Sequence, residues 1–326
     1  MELKNKKVLV TGGTGMVGQP LVDLLLQKGA SVTVVSLDDP SRMQNKDVAF
    51  VQADLRDFSK CLEVTKGQQV VFHVAGIKGS PTLTRDKPAS FFVPMLQFNA
   101  NVMEAARMNE AEWTLYTSTV GVYGPADVFK EDDLWTQSPS KNDWYAGWAK
   151  RIGEMQLEAY RIQYKKANFS IVRPVNIHGP LDGFNPETSM VIPSLISRAM
   201  ESKDKVTIWG DGSPVRDFIN SYDVARAMIF CVENEISQPV NIGSGKGTSI
   251  KELAELIISH IPHKLEIEWD TTKPNGDAYR VADVSRLKSY GFEPSKTLDE
   301  SIAETIKWYL ENKEEFSKRY DQFLQK

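Results

Sequence analysis

Two periods of apolar residues alternate along the first 175 positions. Short, strand-like apolar runs stand at 7–11, 31–37, 48–52, 70–74, 113–118 and 169–174. Runs of that length, rich in Val, Ile and aromatic residues, suit strands buried on both faces. Between them, stretches such as 20–28 and 98–108 place apolar residues three and four apart, the spacing of an amphipathic helix. Strands alternating with helices predict an α/β fold, a Rossmann-type doubly wound parallel sheet with helices on both faces. Further helices are expected at 149–164, 191–198 and 250–261, with a strongly charged, solvent-facing last helix from 298 to about 325. No low-complexity linker or internal repeat interrupts the chain. Ligands on such sheets collect outside the carboxyl ends of the strands, so the chemistry should lie there.

The first strand end carries the strongest signal, Val8-Leu-Val-Thr-Gly-Gly-Thr-Gly-Met-Val-Gly18. A strand running into Gly12-x-x-Gly15-x-x-Gly18 and then a helix suits a pyrophosphate. The turn is tight, the backbone must approach closely, and the helix amides stay free to bind. The second strand ends in Asp38, twenty residues after Gly18. A carboxylate there accepts hydrogen bonds from both adenosine ribose hydroxyls and repels a 2′-phosphate, so NAD is expected over NADP. The other strand ends are also chemically dense: Asp54-Leu55-Arg56, His73-Val-Ala-Gly76, Thr117-Ser-Thr-Val-Gly-Val-Tyr-Gly124 and Arg173-Pro-Val-Asn-Ile-His-Gly-Pro180. Asp54 could meet an adenine amino group, and Ala75 and Gly76 are small enough to let a cofactor lie against backbone.

Composition narrows the class without naming a function. The chain has 326 residues, 41% hydrophobic and 25% charged, enough for a large core and about two domains. A net charge of −4 gives no footprint for nucleic acid or an anionic membrane. No signal peptide or membrane span is legible, and a cytoplasmic location is expected. Cys61 and Cys231 lie far apart without metal-type neighbours and read as buried small hydrophobes; no metal site is expected.

With these motifs in order, the chain resembles the extended short-chain dehydrogenases that act on nucleotide sugars. Its C-terminal half is similar to the GDP-L-fucose synthase branch, through Gly179-Pro-Leu-Asp-Gly-Phe184, Val191-Ile-Pro-Ser-Leu-Ile-Ser-Arg198, Trp209-Gly-Asp-Gly-Ser-Pro-Val-Arg-Asp-Phe218, Asn241-Ile-Gly-Ser-Gly245 and Asp270 to Arg280. The resemblance implies a cofactor domain of residues 1–175 plus about 217–244, and a smaller α/β substrate domain of 176–216 plus 245–326. It implies a cofactor set of Gly12, Thr14, Gly15, Met16, Val17, Gly18, Asp38, Asp54, Leu55, Ala75, Gly76, Lys150 and Val175. Asn176, His178, Arg198, Arg216 and Arg280 would face the substrate, the arginines suiting a diphosphate as permanently charged, bidentate donors. It also implies a homodimer paired through helices near 98–108 and 148–164.

In that family a tyrosine phenolate exchanges the hydroxyl proton, a lysine four residues later lowers the tyrosine pKa, and a serine or threonine holds the sugar oxygen. Thr119 and Lys150 match two of these positions. Four residues before Lys150 stands Ala146, and the nearest phenol is Tyr145, five residues away. On a helix, five positions turn a side chain about 140° away. Either a one-residue bulge at Gly147 returns Tyr145 to the catalytic face, or another group moves the proton. The histidine that the fucose synthase branch places before Val-Ile-Pro is Met190 here, and its cysteine is absent at Val120-Gly121, which argues against 3,5-epimerisation. The acidic pair of related dehydratases is missing from the same place. His178 reads as a packing residue or a substitute acid–base; His73 as structural; His260 and His263 as solvated. The expected activity is NAD-dependent oxidation, reduction or C4 epimerisation of a nucleotide sugar, GDP-linked by resemblance. The alternatives are a nucleotide-sugar dehydratase and a weakened NAD or nucleotide-sugar sensor.

Overall fold

The structure, a computed structural model, describes residues 1–79, 81–185, 189–273 and 275–312. Seven parallel strands form the central sheet: β1 (Lys7–Thr11), β2 (Ser31–Ser36), β3 (Ala49–Gln52), β4 (Val70–His73), β5 (Trp113–Thr117), β6 (Phe169–Pro174) and β7 (Val240–Ile242). Their order is β7-β6-β5-β4-β1-β2-β3, so the chain starts in the interior and winds outward both ways. Six strands fall where the apolar runs place them, and the seventh is Val240-Asn-Ile242. Strand β1 is buried on both faces from Val8 onward, the expected state of a parallel strand covered by helices.

Helix α1 (Gly18–Gln27) follows β1 and packs with α5 (Ser221–Glu233) on one face, over a core that includes Val8, Val10, Leu21, Leu25, Phe72 and Met228. On the other face, α2 (Pro88–Met108) and α3 (Trp144–Tyr164) pack together over Leu9, Val71, Phe91, Phe98 and Val102. Helix α2 begins ten residues before the expected 98. Pro94 lies inside it, and burial of Phe91, Pro94 and Met95 carries the helix across the missing amide. Helix α3 likewise begins at Trp144 rather than Ala149.

A third core, with Phe184, Ile196, Leu253, Ile257, Ile302 and Ile306, belongs to the later segments. It unites α4 (Val191–Glu201), α6 (Ile250–Ser259) and α7 (Leu298–Glu311). Helix α7 starts with a capping box between Thr297 and Glu300; residues 313–325 of the expected last helix lie outside the described residues. Early and late segments of the chain pair with each other. Asn176–His178 pairs with Phe218–Asn220, and Val128–Phe129 shares a small sheet with Tyr279–Ala282. Cys61 and Cys231 are unpaired and buried. No helix among the described residues is long and apolar enough to cross a membrane, and no group of three or more His, Cys, Asp or Glu there could hold a metal.

Candidate active site

A cavity of about 490 Å³ opens at the carboxyl ends of β1, β2, β4 and β5. Gly12, Thr14, Gly15, Met16, Val17 and Gly18 form its floor, and Asp38, Asp54, Leu55, Ala75 and Gly76 its sides. The glycines are required by space. Gly12 has φ +70°, and a Cβ on it would come within 2.9 Å of the Ala75 Cα. A Cβ on Gly18 would overlap the Gly12 carbonyl oxygen and lie 2.6 Å from the Gly13 Cα. Gln19 and Leu21 already donate their amides to the Gly15 and Val17 carbonyls at 3.0 and 3.2 Å, so an anion would be met by the turn ahead of α1, at the positive end of the helix. These features fit the pyrophosphate of a dinucleotide.

At the β2 end the Thr14 hydroxyl donates to Asp38 Oδ2 at 2.6 Å, and the Arg42 guanidinium stands 3.5 Å from the same oxygen. Arg42 also lines the cavity, as does Arg56, which clasps the Asp54 carboxylate through Nε and Nη2 at 2.5 to 3.0 Å. The guanidinium holds Asp54 below the usual carboxylate range. Arg56 is read in the sequence only within its motif and Arg42 is not singled out, although each lies within four residues of a recognised carboxylate.

Beneath the cavity, Lys150 is 6% exposed and donates through Nζ to the Thr117 carbonyl at 2.7 Å. Burial pushes its ammonium down to about 7, against the opposing pull of the Glu154 charge. Glu154, one turn further along α3, accepts from Ser118 and takes both Nε and Nη2 of Arg173 at 3.0 and 2.6 Å. This buried pair pins α3 to β5 and β6 and fixes the depth of Lys150. Thr119 caps a single 3₁₀ turn: its Oγ1 accepts from the Gly121 amide at 3.2 Å, leaving the hydroxyl proton free to donate. The neighbouring Thr117 hydroxyl lines the cavity and has no hydrogen-bond partner among the described residues.

The bulge that would bring Tyr145 to this face is absent. Helix α3 is regular α from Trp144 onward, so Tyr145 keeps its turn away from Lys150; it is 39% exposed, with its ring against Phe92. Ala146 is half-buried and packs against the core shared by α2 and α3, where the helix period puts the side chain four before Lys150. His178 is buried with Nε2 on the Ser301 hydroxyl at 2.7 Å, and burial lowers it to about 3, so its ring is neutral behind the cavity wall. His73 is likewise buried and neutral, bridging Thr11 and Asn99. His260 and His263 are not simply solvated: they bond Asp299 and the Ser202 carbonyl.

Arg216 and Arg280 are brought side by side, as register partners on neighbouring parallel strands. Burial and the Arg280 charge lower Arg216 to about 10, the mark of two cations sharing a half-buried position. Arg280 is balanced by Asp143 at 2.6 Å and Asp277 at 3.7 Å. Asn176 bonds the Asp217 carbonyl at 2.8 Å, and Val175 pairs its amide with Ile242. Tyr145, Lys150, Thr119, Val175, Asn176, His178, Arg198, Arg216 and Arg280 do not line the cavity. Its far wall is instead made by Lys78, Leu181, Asp182, Phe184, Met190 and Trp308, of which only Met190 was weighed in the sequence. Trp308 belongs to α7, whose contribution to the site is hidden in the sequence by its many charges.

A doubly wound sheet with a glycine cradle and an acidic residue at the second strand end defines a dinucleotide-binding protein of the Rossmann type. Residues 8–243 match the family described as "NAD dependent epimerase/dehydratase family". The chain belongs to that family, whose members are nicotinamide-dependent enzymes of nucleotide sugars. It is 34% identical over 321 residues to "Probable GDP-L-fucose synthase 1" of Oryza sativa subsp. japonica, covering 95% of this chain and 93% of the relative. It is 32% identical over 318 residues to the GDP-L-fucose synthase of Sinorhizobium fredii, covering 95% and 97%. Among solved structures, the UDP-N-acetylglucosamine 4-epimerase of Methanobrevibacter ruminantium M1, in complex with UDP-N-acetylmuramic acid, superposes with a TM-score of 0.85 at 25% identity, covering 94% of this chain and 99% of that one.

Proposed function

We propose that this protein moves a hydride between NAD and carbon 4 of a GDP-linked sugar, as a reductase or a C4 epimerase. The observation that carries the reading is the end-to-end likeness to GDP-L-fucose synthases around a cavity floored by the glycine cradle. Met190 on the cavity wall and Val120-Gly121 beside Thr119 supply no acid or base, which favours one-carbon chemistry over 3,5-epimerisation.

The cradle and Asp38 would hold NAD, which when bound supplies or takes up the hydride. Thr119 keeps a hydroxyl proton for the sugar oxygen, and Lys150 is fixed beneath by Thr117. With no phenol at Ala146 and Tyr145 turned away, the balancing proton is exchanged with water, taken from it on reduction and returned to it on oxidation, and the hydroxyl that lines the cavity is that of Thr117. The Arg216–Arg280 pair suits the substrate's diphosphate. The apolar exposed side chains Ile152, Met155 and Ile162 on α3 and Met108 on α2 suit pairing with a second copy in the cell's cytoplasm.

A turnover screen tests the reading: purified protein with NAD(H) or NADP(H) and a panel of GDP-, UDP- and dTDP-sugars, read by nicotinamide absorbance and NMR. The expected result is a changed GDP-sugar, faster with NAD(H). Equal rates with NADP(H) would mean that Arg42 outweighs Asp38 at the ribose. Conversion confined to UDP- or dTDP-sugars would overturn the GDP assignment.

A further inference from the structure

Asp182 is a buried carboxylate that neither the dinucleotide nor the diphosphate reading uses. It is 4% exposed and stands in the far wall of the cavity with Lys78, Phe184, Met190 and Trp308. Its Oδ1 is fully engaged, accepting from the Gly183 amide at 2.7 Å and from the Lys78 ammonium at 2.5 Å. Its Oδ2 has no hydrogen-bond partner among the described residues. Buried acceptors are normally satisfied, and a bare carboxylate oxygen is among the most costly to leave open. Oδ2 is itself enclosed, and the donor it lacks would come with a ligand that packs into this wall.

The wall itself says which kind of ligand. A phosphate is excluded, because it offers only acceptors and negative charge to a carboxylate. The 4% exposed Phe184 and the half-buried Trp308 line the same wall, their rings 6.0 Å apart and 25° from parallel. A carboxylate acceptor next to aromatic faces suits a pyranose, whose hydroxyls donate and whose C–H face is apolar. We propose that Asp182 Oδ2 accepts a hydrogen bond from one hydroxyl of the substrate's sugar ring, seated against Phe184 and Trp308, and so selects the sugar. Lys78 holds the carboxylate in place through Oδ1 and leaves Oδ2 to the ligand.

This assignment rests on the nucleotide-sugar reading, and calorimetry separates the two. The full-length protein and its Asp182→Asn variant are titrated with NAD, and then, with NAD present, with GDP and with GDP-mannose; UDP and UDP-glucose form a parallel pair. The expected result is that Asp182→Asn leaves NAD and free nucleotide affinity within about twofold. The extra affinity from the hexose should fall by about 10- to 100-fold, the usual worth of a hydrogen bond to a charged group. The wild type gives a second measurement that needs no variant. In a series of hexose rings lacking one hydroxyl each, a single position should cause that loss. An unchanged hexose increment, an equal fall for nucleotide and nucleotide sugar, or a fall confined to NAD would overturn the assignment. The last result would give Oδ2 to the nicotinamide carboxamide. Binding of the UDP pair alone would overturn the GDP reading while the same comparison still judges Asp182. Failure of every nucleotide to bind would overturn both.

Discussion

Burial sets the proton affinity of Lys150, and that has a measurable consequence for stability. In the folded protein its ammonium titrates at about 7, whereas an unfolded chain holds the same proton to about 10.4. Between those values the unfolded state binds the extra proton, so rising pH favours the unliganded fold, by up to about 1.4 kcal/mol per unit. The penalty is largest below pH 7, where the buried amine is charged. Lys150→Met has no proton to exchange. Urea unfolding at pH 7, 8.5 and 10 should therefore show the stability difference moving in favour of the wild type as pH rises. A constant difference would mean that the buried amine titrates normally. Residues of this kind divide by range in the sequence. The glycine cradle and Asp38 are legible because turn, strand and helix are contiguous. Lys78 and Asp182 are 104 positions apart, and only the fold brings them together. Tyr145 is intermediate: the spacing raises the question, and the regular helix answers it.

At the level of elements, strands of the central sheet are legible because double-sided burial demands nearly unbroken apolar runs. Helix boundaries are less so. Tertiary packing carries α2 through Pro94 and extends α3 back to Trp144, both against local propensity. Helix α7 shows the opposite limit. Its sequence mixes charged and apolar residues; it buries Ile302, Ile306 and Tyr309, supports His178 through Ser301 and brings Trp308 to the cavity. Its start depends on a local device: Thr297 Oγ1 accepts from the Glu300 amide, and the Glu300 carboxylate answers the Thr297 amide at 2.8 Å. Thr297→Ala should cost about 1 kcal/mol, measurable as a lowered denaturation midpoint with an unchanged slope. A loss under about 0.3 kcal/mol would mean that α7 is held by its packing alone.

Over the whole molecule, the site is shared between early and late segments of the chain. The sheet ends and α1 give the floor and the adenosine side, while the segment at 181–184, Met190 and α7 close the opposite wall. That division suits an enzyme that holds one invariant reactant on a rigid cradle and selects the other with a separate wall. The likeness to GDP-L-fucose synthases covers 95% of the chain, while Met190 and Val120-Gly121 carry no acid or base. The chemistry we propose is therefore hydride transfer at a single sugar carbon. The most direct test incubates the protein with NADH deuterated at its transferable 4-position and a GDP-linked 4-keto hexose, and locates the label in the product by NMR. Deuterium is expected at carbon 4, with none of the solvent exchange at carbons 3 and 5 that 3,5-epimerisation would leave. Label at another carbon, or an unlabelled sugar with NADH unconsumed, would contradict it.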